Sequence, residues 1–157
     1  MTETTPLRLH LVDTSASARL AYEPVRTVIA GLIADRAAAT CVTVDLEAGY
    51  SGRNLADVQN VAQRRRSLYV NLPINETIAD RAREVQQLMA RKGHHRAAGI
   101  VDLLTAAVAE FHGAVLVHYD ADFEHIASVT RQPHVWVVPQ GSLNQEVAVR
   151  GPGRAPS

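Results

Sequence analysis

Residues Ile100 to Phe123 read IVDLLTAAVAEFHGAVLVHYDADF, and this stretch decides the fold. Asp102 opens an apolar helix pattern in which Leu103, Leu104, Ala107, Val108 and Phe111 recur on one face. Gly113 follows as a residue able to take left-handed backbone and stop the helix. Ala114 to Val117 is a short, unbroken apolar run, β-branched in part, which predicts a strand buried on both faces. Its carboxyl end opens onto Tyr119, Asp120, Ala121 and Asp122, so an acid stands at a helix start and further acids at the end of the next strand.

The same alternation of elements extends upstream. Leu7 to Val12 predicts a strand, with Leu7, Leu9 and Leu11 alternating against Arg8 and His10 and Asp13 at its carboxyl end. Ser15 to Ala21 predicts a short helix, and Pro24 can begin a second one striped by Val25, Val28, Ile29, Leu32 and Ile33. Thr40 to Val42 reads as a strand, followed by a helix capped by Thr43 and carrying Asp45 and Glu47; a strand running on to Leu46 competes with it. A helix with Leu55, Val58 and Ala62 on one side extends to about Arg66, and Leu68 to Leu72 is short strand or extended chain. Asn75 is an N-cap for a long helix through Ile78, Ala82, Val85 and Met89 that stops at Gly93.

Downstream, a helix is expected from near Asp122 to about Val129 and a last edge strand over Val135 to Val138. The expectation is one α/β domain over residues 1–142, with a largely parallel sheet covered by helices on both faces, and a disordered tail over 143–157.

Composition narrows the function classes. The 157 residues, 46% hydrophobic and 20% charged, suffice for one core without disulfides, and a single cysteine, Cys41, excludes an internal one. No apolar run approaches the roughly 20 residues of a membrane span and no secretory signal is visible, so a soluble, cytoplasmic protein is expected. Sixteen basic and sixteen acidic residues cancel, so bulk charge gives nucleic acid no general attraction.

The acids carry the chemistry. In open parallel sheets functional groups gather beyond the strands' carboxyl ends, where Asp13, Asp120 and Asp122 are expected, with Asp102 and Glu47 at helix starts close by. Like charges crowded together resist ionisation, an objection that a hard divalent cation with oxygen ligands removes. Taken singly, Asp13 and Asp102 are better read as helix-cap acids, Glu47 as a solvated residue and the Asp120, Asp122 pair as turn formers. Thr14 and Ser15 can orient Asp13 or merely cap. Arg64, Arg65 and Arg66 read first as a solvated helix end and second as a phosphate contact, and the His94, His95, Arg96 loop could touch a polar substrate. No phosphate-binding glycine loop, zinc motif or nucleophile elbow is present.

Four segments in order, LVDTSASARL, VTVDLEAGYSGR, IVDLLTAAVAEFHGA and LVHYDADFEHIA, resemble the motifs of PIN-domain toxins of the VapC type. The resemblance spans about Leu7 to Ser142. It implies a PIN-like fold and a Mg²⁺-dependent endoribonuclease, with Mn²⁺ able to substitute, hydrolysing RNA phosphodiesters without a covalent intermediate. It further implies a homodimer held inactive by a cognate VapB-like antitoxin. Asp13, Glu47, Asp102 and Asp120 match the family's acidic positions, Asp122 an additional acid near the metal, and Ser15 a supporting hydroxyl. Two other functions compete: a small-molecule phosphohydrolase with Asp120 as nucleophile, and a catalytically silent PIN-fold interaction protein.

Overall fold

The computed structural model describes residues 6–144. Five parallel strands form one sheet in the order β3, β2, β1, β4, β5, where β1 is His10–Val12, β2 Ala38–Thr40, β3 Val70–Asn71, β4 Val115–His118 and β5 His134–Trp136. The chain winds outward from β1 through β2 to β3, then returns to lay β4 on the other edge of β1. That reversal makes the β1/β4 seam the switch point of the sheet. His10, Leu11 and Val12 stand level with Val115, Leu116 and Val117, and the amide of Asp13 donates to Val117 O across 2.9 Å. The residues just beyond both strands are therefore neighbours.

Period-two alternation splits the core in two. Leu11, Ala39 and Leu116 face one layer, filled by Val44, Ile78, Val85, Met89, Leu103, Val108, Phe123 and Ile126. Val12, Ala38 and Val117 face the other, filled by Ala16, Val25, Ile29 and Val137. The helices supplying these side chains are α3 (Val42–Tyr50), α5 (Glu76–Arg91), α6 (Ile100–Phe111) and α7 (Asp122–Thr130) on the first face. On the second lie α1 (Thr14–Ser17) and α2 (Glu23–Ala34). Each fully buried Leu or Val contributes roughly 1.5–3 kcal/mol, and β1 and β4 place such residues on both faces. The α/β sheet with helices on both sides agrees with the expectation from sequence, and α6, Gly113 at φ +66° and β4 follow as read.

Several boundaries differ. Leu7 and Leu9 precede β1, and Leu11 and Val12 are both buried, because a central strand has no solvent face. β2 ends at Thr40 and α3 starts at Val42, one turn position ahead of Thr43, with Cys41 in extended backbone between them; a strand through Leu46 is thereby excluded. Thr43 uses its hydroxyl on Thr105 Oγ1, 2.7 Å away, rather than as a cap. α4 (Leu55–Leu68) runs two residues past Arg66, and its Leu55 and Val58 remain exposed because the helix packs on α3 outside the main core. β5 starts one residue before the expected edge strand and ends two residues before it. Leu143 is buried in the second core layer. The expected tail lies, from residue 145 on, outside the described residues.

Candidate metal centre

Asp13 ends β1 and caps α1. Its Oδ2 accepts the Ser15 amide across 2.9 Å, so the capping role read from sequence is real. The other oxygen is the anomaly: Oδ1 is buried and has no hydrogen-bond partner among the described residues. Burial, and to a lesser degree the charge of Asp120, push the Asp13 carboxyl above its ordinary range, against the opposing pull of Ser15. A buried, unpartnered carboxylate oxygen calls for a ligand, since leaving such a group unsatisfied costs about 1–3 kcal/mol or more.

Asp102 is the third residue of α6, and its Oδ2 accepts the Gly99 amide across 3.2 Å. A Cβ on residue 99 would stand 3.2 Å from that same oxygen, so the close approach favours glycine there. Asp102 is pushed up to about 7, by burial first and then by Asp13, Asp120 and Asp122. Asp120 follows β4, and its Oδ1 accepts the Asp122 amide across 2.9 Å, which makes the Asp-x-Asp turn. Asp122 opens α7 and is raised by burial and by Asp120. One carboxylate oxygen each from Asp102, Asp120 and Asp122 lies within 4.8 Å of the others. Three acids at that separation, two of them raised, form a donor set that suits a hard divalent cation.

Glu47, on α3, is not among the three acids that converge; what it meets is Thr14 and the charge of Asp13. Thr14 Oγ1 donates to its Oε1 across 3.4 Å, and burial together with the Asp13 charge raises its pKa. Asp45, two residues earlier, points elsewhere: it accepts Thr40 Oγ1 and Arg65 Nε, both at 2.7 Å. Ser15 joins the two acid-bearing segments, its Oγ accepting the Tyr119 amide across 3.0 Å.

Two features were not legible in the sequence. Arg65, in the run read as a solvated helix end, is buried, bonded to Asp45 and Thr40 and stacked over the Tyr69 ring; Arg64 and Arg66 alone are exposed. His118, fully buried at the end of β4, accepts the Asp120 amide on Nδ1 across 3.2 Å. Its Nε2 therefore bears the proton in the neutral ring and donates to His134 Nδ1 across 2.8 Å. Burial and the neighbouring His134 lower it to about 4. A histidine two residues beyond Leu116, ending an otherwise aliphatic strand, was the available signal. His94, His95 and Arg96 are exposed.

The model of the PIN domain matches residues 10–129. Ribonuclease VapC21 of Mycobacterium tuberculosis is 43% identical over 135 residues, 85% of this chain and 96% of that protein. The chain belongs to the PIN-domain family, among proteins of the VapC type. Ribonuclease VapC51 of the same organism is 39% identical over 86% of this chain and 97% of its own length. Among solved structures, VapBC2 from Rickettsia felis bound to a promoter DNA fragment superposes with a TM-score of 0.67 at 16% identity, covering 81% of this chain and 97% of the other. At that identity the likeness speaks for the PIN fold. Among the described residues no helix of this PIN domain is long and apolar enough to cross a membrane.

Proposed function

We propose that this chain is the toxin of a type II toxin–antitoxin pair, a cytoplasmic Mg²⁺-dependent endoribonuclease that a VapB-like antitoxin holds inactive. The observation that carries the reading is the convergence of Asp102, Asp120 and Asp122 within 4.8 Å, with Asp13, whose Oδ1 is orphaned, near enough for its charge to raise Asp102. Both curated relatives named above are ribonucleases, and the matched structure is of a VapBC complex.

Asp13, Asp102, Asp120 and Asp122 would hold the cation, with Glu47 completing the rim. A bound divalent cation supplies Lewis acidity and offsets the charge of the phosphodiester. Thr14 fixes one oxygen of Glu47, leaving the second free to take a proton from an attacking water. Ser15 keeps the ends of β1 and β4 in register, so that Asp13 and Asp120 stay together. His118 holds the Asp120 amide, and being neutral over the physiological range it adds no positive charge that would compete with a cation. Attack of water forms a new phosphorus–oxygen bond as the bond to the ribose oxygen breaks, and the departing oxygen takes up a proton from solvent. Mn²⁺ has the same preference for oxygen ligands and is expected to substitute.

The test is cleavage of total cellular RNA by the purified chain, freed of any partner. Fragments are expected in Mg²⁺ or Mn²⁺ and none in chelator or in Asp13→Asn. Failure of the wild-type chain to cut under all metal conditions would remove the reading. Co-purification with the product of an adjacent small gene checks the antitoxin.

A further inference from the structure

A cavity of about 510 Å³ opens between the ends of β4 and β5; Ser15 and Asp120 line its inner side, and the proposed chemistry does not use the rest of its wall. Its walls include Arg19, Tyr119, Trp136, Gln140 and Asn144. Its size is that of a small-molecule pocket. Its lining is of two kinds, a fixed aromatic wall and a fixed cation.

The aromatic wall is held on three sides. The Trp136 indole packs edge-on against Tyr119 at 5.4 Å and 88°, and leans on the buried His118 at 4.9 Å. Its Nε1 donates to Glu124 Oε1 across 2.9 Å, which fixes the rotation of the ring. Trp136 is nevertheless only half-buried, and it is exposed toward the cavity. A ring fixed this firmly and left open loses little entropy when a flat ligand stacks on it.

The cation is equally constrained. Arg19 Nη1 donates to Ser15 O across 2.6 Å, and its guanidinium lies 4.7 Å over the Tyr119 ring. Among the described residues it pairs with no carboxylate, although Asp120 lines the same cavity. Most of its N–H groups are free for an anion, and a guanidinium matches the geometry of phosphate oxygens. The amides of Gln140 and Asn144 add donors and acceptors at the mouth.

We infer that this cavity is a nucleotide subsite that takes one unpaired residue of the RNA next to the cleaved bond, its base against Trp136 and its phosphate on Arg19. The identity of the ligand as RNA rests on the ribonuclease reading; the pocket's chemistry, an aromatic platform with a cation beside it, does not. A base in a duplex is already stacked and cannot present its face, so the subsite selects unpaired segments. Gln140 and Asn144 line the same cavity and are the amides available to a base edge.

Trp136 is the one tryptophan of the chain, so its emission reports the pocket without a label. The experiment titrates the full chain in chelator with the four nucleoside 5′-monophosphates, a single-stranded RNA pentamer and ribose 5-phosphate. Saturable quenching by the pentamer and by at least one monophosphate, absent with ribose 5-phosphate, is expected. Arg19→Gln should weaken it about tenfold while near-ultraviolet dichroism stays that of the wild type. No quenching by any nucleotide, or equal quenching by ribose 5-phosphate, overturns the subsite. RNA cleavage in Mn²⁺ without quenching sinks the subsite and leaves the nuclease standing; quenching without cleavage supports the subsite and sinks the nuclease.

Discussion

Arg65 donates through Nε to Asp45 Oδ1 across 2.7 Å, and so keeps one of two neighbouring acids of α3 out of the pocket. Residues two apart on a helix point to opposite sides, and Glu47 accordingly meets Thr14 while Asp45 meets Arg65 and Thr40. Asp45→Asn is expected to lower stability by about 1–3 kcal/mol, because the buried guanidinium loses its counter-charge, and to leave cleavage nearly intact. Glu47→Gln is expected to do the reverse. Thermal melts beside an RNA cleavage assay separate the two, and full activity in Glu47→Gln would remove that residue from the centre.

Asp13→Asn keeps an oxygen for the Ser15 amide and loses the charge on the orphaned side. Cleavage should fall by at least the roughly 10–100-fold that disturbing the supporting shell of a metal ligand costs. The melting temperature of the metal-free protein should hold or rise, since asparagine caps a helix as well as aspartate does.

Ionisation of Asp102 weakens the metal-free protein between mildly acidic and neutral pH. Its pKa in the fold is about 7 against an ordinary 3.8, so the folded state holds a proton that the unfolded chain has released. The Asp102 contribution to stability therefore falls as pH rises from about 4 through 7, and levels off above. Asp102→Asn should cancel most of that slope and gain roughly 1–3 kcal/mol at pH 8, a rise of several degrees in a protein of this size. Melts across pH in chelator read it directly; a slope unchanged in the variant would refute the assignment.

Metal should reverse the same penalty. Mn²⁺ or Mg²⁺ is expected to raise the wild-type melting temperature, with weaker apparent affinity below pH 7 as protons compete for Asp102. Chelation should abolish cleavage and leave the far-ultraviolet dichroism unchanged, because the cores on either side of the sheet contain no part of the acid trio. Asp102→Asn combined with Asp120→Asn should remove the metal-dependent rise.

His118 pulls the opposite way over nearly the same pH window as Asp102. Its pKa is lowered to about 4, so between about 6.5 and 4 the unfolded chain takes up a proton that the fold refuses. Stability is therefore lost on acidification across that window. His118→Gln should flatten this limb and, by loosening the Asp120 amide, cut cleavage by about tenfold.

What the sequence showed and what it hid divide along local and tertiary lines. Asn75 capping α5, with its Oδ1 on the Ile78 amide at 2.9 Å, and the Gly113 stop between α6 and β4 depend on neighbours within a few residues. Both were legible. The order of the acids was also visible, because strand ends and helix starts carry local signals. Their gathering was expected from those signals and holds for Asp102, Asp120 and Asp122; what local signals could not give is that this trio, without Glu47, closes to 4.8 Å through packing of α6 against the end of β4. Arg65 was misread for the same reason: three consecutive arginines look solvated until a partner twenty residues away buries the middle one. Cys41 and Val42 escaped because β-branched residues around a strand end also fit the first turn of a helix.

The position of β4 carries a consequence for synthesis of the protein. Asp13 and Glu47 emerge from the ribosome early, in the company of β1, β2 and β3. The opposite flank of β1 stays bare until residues 115–118 arrive to zip along it. On the ribonuclease reading, a half-made chain therefore carries no cutting edge, and the acid trio is assembled only in the last part of each round of translation.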